Sequence, residues 1–210
     1  MSKLKVFGVP QSRAARTLWL CAELGIDFEH IPTHFATESV HTDEYNAINP
    51  NQKIPSIQDG DFSLWESMAI NFYLAKKHKS ALMPTELQGE ALVLQWSFWV
   101  MTEVEKPLLN VLFQRMDFSA DTPENRYFKA AIKKDPEIEK LNLDLLQKPF
   151  GVLEAQLADR DYLLGDTFTL ADLNVAAVMA WAALSGMDLS SWPSLADWLQ
   201  RCLARQAGRP

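Results

Sequence analysis

Cysteine is scarce in this 210-residue chain: Cys21 and Cys202 are the only two, and they stand far apart. A disulfide framework needs more of them, and a zinc site needs several ligands at close spacing, so neither is expected. The expectation is a reducing, cytoplasmic setting and no metal. Long apolar runs are also missing. None reaches the roughly 20 residues of a membrane-spanning helix, and Met1-Ser2-Lys3-Leu4-Lys5 runs straight into an alternating segment without a signal-peptide core. Positive charge is the third shortage. Twenty Lys and Arg against 27 Asp and Glu leave a net charge of -7 and a pI near 5.1. Nucleic acid and anionic membrane surfaces, which require clustered cations, are therefore not expected as partners. What the chain does have is an ordinary globular composition, 48% hydrophobic and 22% charged. Its length allows one large domain or two small ones.

The first 80 or so residues mix two periodicities. Lys3 to Phe7 alternates as a strand does, and Gly8-Val9-Pro10-Gln11-Ser12 is turn chemistry. From Arg13 the apolar residues Ala15, Leu18, Trp19, Ala22 and Leu24 recur at helical spacing until Gly25 stops them. Asp27 to Ile31 reads as a second strand. Ile54 to Ile57 and Phe62 to Leu64 flank Asp59-Gly60, a hairpin signal. A helix follows from about Glu66 to Lys79. The order β-α-β-(α)-β-β-α describes an α/β layer closed by antiparallel strands. Beyond Ser80–Pro84 the pattern is helical throughout: Glu86 to Met116, Asp121 to Lys134, Pro136 to Ala158 with Pro149 breaking or kinking it, Thr169 to Leu184, and Ser191 to Ala207. The tail Ala207-Gly208-Arg209-Pro210 reads as frayed.

Several positions invite a chemical reading, each beside an ordinary one. Ser12, between strand and helix, is either an N-cap or a hydroxyl aimed at a ligand near a helix N-terminus, where negative charge is favoured. Pro55 opens a strand without a donor. It is an edge-strand proline, or a cis bond that turns the backbone of Ile54 towards a pocket. Glu66 and Ser67 begin a helix. They cap it, or they hold a group that carries both an ammonium and a carboxylate. His41 and Lys53 are solvated cations, or they hold a second carboxylate. Thr169 and Asp172 form a capping-box pattern and read as structural.

The segments Gly8-Val9-Pro10-Gln11-Ser12-Arg13-Ala14-Ala15-Arg16, Asn49-Pro50 with Lys53-Ile54-Pro55, Leu64-Trp65-Glu66-Ser67-Met68-Ala69-Ile70, and Tyr162-Leu163-Leu164-Gly165-Asp166 with Phe168-Thr169-Leu170-Ala171-Asp172 span most of the chain. In this order and spacing they resemble the glutathione S-transferase family, in particular a serine-type, bacterial-like cytosolic member. The resemblance implies a thioredoxin-like α/β domain over residues 1–80, which binds glutathione, and an all-α domain over 87–210, which contributes the electrophile site. It also implies a homodimer. By the same resemblance Ser12 donates a hydrogen bond to the glutathione sulfur, and Ile54 pairs through its backbone with the cysteinyl unit, with Pro55 cis. Glu66 and Ser67 hold the γ-glutamyl end, and Lys53 with His41 the glycine carboxylate. A small hydrophobic electrophile is expected near Val9, Pro10, Trp99 and Phe113. Because serine forms no mixed disulfide, conjugation is expected rather than thiol exchange. A glutathione-dependent isomerase, dehalogenase or peroxidase, and a non-catalytic carrier or scaffold, are the competing readings. Two features depart from the pattern. Gln52 replaces a common glycine, which puts Gln under strain if the turn needs a positive φ. The segment Phe118 to Pro136 is long and charged. Arg16 is expected to form a structural ion pair.

Overall fold

The computed structural model describes residues 3–205; the expected fraying of Ala207–Pro210 concerns positions outside them. The backbone forms two compact units that divide between Met83 and Pro84.

The first unit holds β1 (Leu4–Phe7), α1 (Ala14–Leu24), β2 (Phe28–Ile31), a 3₁₀ turn (Glu38–Val40), α2 (Asp43–Ile48), β3 (Ser56–Asp59), β4 (Phe62–Trp65) and α3 (Ser67–Lys77). The sheet order is β2-β1-β3-β4, with β1 parallel to β2 and the other pairs antiparallel. Alternation divides its two faces. Phe7 turns towards Val40 and Tyr45, so α2 lies on that side. Val6 and Ile57, opposite one another in the ladder, turn the other way and are fully buried. Helices α1 and α3, which pack on each other and on the sheet, bury Leu20, Ile70 and Leu74 there. The Asp-Gly signal marks the hairpin one residue out of place. Asp59 still pairs with Phe62, and Gly60-Asp61 make the two-residue loop, with Gly60 supplying φ 64°.

The second unit is helical: α4 (Leu87–Trp99), α5 (Glu105–Arg115), α6 (Pro123–Ala131), α7 (Pro136–Leu157), α8 (Leu170–Leu184) and α9 (Pro193–Leu203). The expected single helix from Glu86 to Met116 is interrupted by a π turn, Val100–Val104, whose last step is a bond from Glu105 N–H to Val100 C=O. Pro107 follows, and because it has no N–H the ordinary partner of the Glu103 carbonyl is missing, so the ladder shifts there. Of the expected break or kink at Pro149, the break does not occur: α7 runs on past it to Leu157. Its neighbours Leu146, Phe150 and Leu153 are buried, and that packing outweighs one forfeited hydrogen bond. Helix α8 is buried nearly all round and packs on α4, α5 and α9. The segment 118–136 is tied back to α5. Phe128 packs on Phe113 and Phe118. Lys134 Nζ donates to the carbonyls of Phe113, Gln114 and Met116, filling the C-terminus of α5 with positive charge. No described helix is long and apolar enough to cross a membrane.

Candidate functional site

The sheet register explains why distant motifs meet. Ile31, Phe7, Ser56 and Trp65 form one row across the four strands. That row lies at the C-terminal end of β1, β2 and β4 and at the N-terminal end of β3. The Ser12 turn, the loop carrying His41, the Ile54-Pro55 bond and the Glu66-Ser67 step therefore all leave the sheet at the same end. Gly8 draws two of them together. A Cβ on it would lie 2.6 Å from Cβ of Ala14 and 3.3 Å from Cβ of Ile54, and its φ is 136°.

Ser12 is half-buried, in a turn closed by its N–H on the Val9 carbonyl at 3.2 Å. Its Oγ donates to the same carbonyl at 2.7 Å and accepts from Ala14 N–H at 3.1 Å. The hydroxyl thus caps the first turn of α1. It has one proton, so donation to a ligand means releasing Val9.

The Ile54-Pro55 peptide bond is cis. The Ile54 side chain is buried with Phe7, Val9, Val40 and Tyr45. Among the described residues no backbone hydrogen bond engages its N–H or C=O. The preceding turn is firmly built, in part by Tyr45, which the sequence reading passed over. Tyr45 Oη and Asn49 Nδ2 both donate to the Lys53 carbonyl, at 2.6 and 2.7 Å. Asn49 Oδ1 accepts from Asn51 N–H. Asn49-Pro50 belongs to one of the segments that carry the family resemblance, whereas nothing in the sequence singles out Tyr45. Gln52 does sit at a positive φ, 55°, the strain expected if glycine's place needs it. Its Oε1 lies 2.8 Å from Nδ1 of His41. The side chains of His41 and Lys53 are exposed.

Glu66 is exposed and holds φ 74°, ψ 111°. A non-glycine residue there is strained by about 1–3 kcal/mol, a cost that collects at ligand sites. Ser67, the first residue of α3, is buried, and its Oγ accepts from Nη1 of Arg16 at 3.3 Å. Of the residues expected near an electrophile, Val9 is in the core, Pro10 is half-buried, Trp99 meets Trp96 edge-on and Phe113 packs against Phe128. Burial pushes the Cys21 thiol up to about 12, which removes it as a nucleophile near neutral pH. Among the described residues no group of three or more His, Cys, Asp or Glu could hold a metal ion.

The family models of the glutathione S-transferase N-terminal and C-terminal domains match residues 2–76 and 108–206. A probable glutathione S-transferase of Oryza sativa subsp. japonica is 30% identical over all of this chain and 95% of its own length. Glutathione S-transferase 3 of Zea mays is 31% identical over 99% of this chain and 92% of its own. A solved structure of a glutathione S-transferase-I bound with lactoylglutathione is similar at 29% identity, with a TM-score of 0.85 over 99% of this chain and 97% of that one. Sheet order, the helical second unit and full-length similarity agree: the chain belongs to the glutathione S-transferase family.

Proposed function

We propose that this protein is a glutathione transferase that activates the glutathione thiol through Ser12 and conjugates it to a small apolar electrophile. The observation that carries the reading is the unpaired backbone of Ile54 ahead of a cis proline, at the sheet end shared by Ser12, His41 and Glu66-Ser67. Glutathione is a peptide with two carboxylates and one ammonium, and this set matches that chemistry. Ile54 offers a donor and an acceptor to a peptide unit. Ser67 and the first N–H groups of α3 suit the γ-glutamyl carboxylate, and Glu66 suits the ammonium. His41 and Lys53 suit the glycine carboxylate. Val9, Pro10, Trp99 and Phe113 remain the proposed electrophile-facing residues. The cytoplasm, a homodimeric assembly and a role in detoxification belong to the same proposal.

The chemistry rests on thiol acidity. A free thiol has a pKa of roughly 8.5, so few molecules are thiolate at neutral pH. A hydroxyl donor and the N-terminus of α1 both favour the anion. Lowering the pKa by about two units corresponds to roughly 2.7 kcal/mol and makes thiolate the main form at pH 7. The test follows thiolate absorbance in the ultraviolet while bound glutathione is titrated with pH. Wild type is expected to hold the thiol well below its free value. Ser12→Ala is expected to bind glutathione within about twofold of wild type, to return the thiol towards roughly 8.5 and to lose turnover. Binding without a shift in wild type would point to a carrier instead.

A further inference from the structure

Arg16 is the buried cation of the first unit that the proposal above does not use. It lies on α1, one turn beyond Ser12, with 1% of its surface exposed. Burying a guanidinium is costly unless its donors are satisfied and its position is needed. From sequence it looks like half of a structural ion pair. In the fold its Nη1 donates to Ser67 Oγ on α3, and its own carbonyl accepts from Asn71 Nδ2, one turn further along the same helix, each at 3.3 Å. Arg16 is thus pinned to α3 at both its backbone and its side chain.

The direction of that contact matters. A guanidinium has donors and no acceptor, whereas a serine hydroxyl has one proton and two lone pairs. In this pair the serine oxygen must therefore accept. With one lone pair taken by a buried cation, the Ser67 proton is left to donate elsewhere, and the charge-assisted bond polarises the O–H into a stronger donor. We infer that Arg16 is a positioning residue for glutathione: it fixes the Ser67 hydroxyl as a donor to the γ-glutamyl carboxylate. The inference rests on the proposed role of Ser67. It adds a buried determinant of recognition that does not itself touch the ligand.

The test compares two ligands by calorimetry: glutathione, and γ-aminobutyryl-cysteinyl-glycine, the same tripeptide without the γ-glutamyl carboxylate. Wild type, Arg16→Met, Ser67→Ala and the double variant are titrated with each. Either single change is expected to weaken glutathione about tenfold and to leave the analogue within about twofold. In the double variant the losses should coincide rather than add, because both remove one interaction. If Arg16→Met does not fold, Arg16→Lys takes its place. An ammonium at this position lacks the planar fork of the guanidinium, and the same preference for loss of glutathione over the analogue is expected. Equal weakening of both ligands in an Arg16 variant, or additive losses, would overturn the inference while leaving the proposed function standing. A wild type that binds both ligands alike would overturn the role given to Ser67, and Arg16's with it. A wild type that binds neither would overturn the proposed function itself.

Discussion

Gln52 shows how one residue can hold strain for a purpose. At φ 55° its Cβ crowds the backbone, a cost of about 1–2 kcal/mol that glycine would not incur. Glycine would, however, lose more freedom on folding, by about 0.4–1 kcal/mol. What Gln52 gives in return is a hydrogen-bond partner for Nδ1 of His41. That bond engages one ring nitrogen of His41 and holds the ring to the turn. The two effects should separate on mutation. Gln52→Gly is expected to leave stability unchanged or to raise it by up to about 1 kcal/mol in denaturant titration. It is also expected to weaken glutathione binding severalfold, because His41, proposed above for the glycine carboxylate, loses its anchor. A variant that binds as tightly as wild type would show that His41 needs no orientation from Gln52. Ser12 and Arg16 follow a similar logic. Each is engaged within the fold, Ser12 as a cap and Arg16 against Ser67, and each proposed ligand role is an extension of that structural contact.

Two elements carry sharper expectations about stability. The start of α8 is a capping box, and its Asp172 does far more than cap. Its carboxylate, fully buried, accepts from Leu163 N–H, Thr169 N–H, Thr169 Oγ1 and Trp198 Nε1 at 2.8–3.0 Å. Burial holds this carboxyl above its ordinary value, and the four donors offset part of that rise. Removing the Thr169 side chain forfeits one cap, about 1 kcal/mol. Removing Asp172 orphans buried donors at about 1–3 kcal/mol each. Thr169→Ala is therefore expected to cost about 1 kcal/mol and Asp172→Ala at least about 4 kcal/mol in denaturant titration; equal costs would mean the donors find other partners. The β3–β4 hairpin is held to α3 differently, by Asp59 accepting from Lys77 and from Tyr73 Oη. The bond from Lys77 is the main reason the Asp59 carboxyl lies below its usual range. A carboxylate lowered on folding stabilises above its unfolded value, roughly 3.9, and loses that contribution as pH falls through the folded value. Wild type should thus lose stability more steeply below about pH 4 than Asp59→Asn does; parallel pH profiles would dismiss the clamp. Much of this was legible in sequence because its signals are local. Thr169 and Asp172 stand three apart, Asp59-Gly60 lies between apolar runs, and the Ser12, Pro55 and Ser67 motifs each sit at an element boundary. The strand order, the Arg16–Ser67 contact, the Lys134 plug and the π turn were not legible. They depend on partners brought close only by tertiary packing, or on Pro107 acting on a carbonyl in the turn before it.

Assembly is where a single described chain leaves the most apolar surface to account for. On α4, Leu87, Ala91, Leu94 and Phe98 follow one another at steps of four and three residues. Such spacing draws one stripe along a helix. Buried positions on the same helix, Val93, Trp96 and Ser97, are separate from it. Leu87 is 78% exposed and Phe98 65%. Helix α7 also exposes Leu141, Leu145 and Val152, but Lys148 interrupts that row. An uninterrupted apolar stripe of this kind is what a symmetric pair of chains can bury, each copy offering the same face to the other. We therefore expect the α4 stripe to lie in the interface of the proposed homodimer. Sedimentation of the wild type should give about twice the chain mass of 23.8 kDa. Phe98→Glu should shift it to the monomer, because a carboxylate would have to be desolvated in the apolar centre of the contact. Leu141→Glu on α7 should remain dimeric and serves as the matched control. The dissociated Phe98→Glu chain should keep its folded helical signal, since Phe98 contributes little to the core of its own chain. A monomeric wild type would remove the dimer from the proposal, and a dimer that survives Phe98→Glu but not Leu141→Glu would move the interface from α4 to α7.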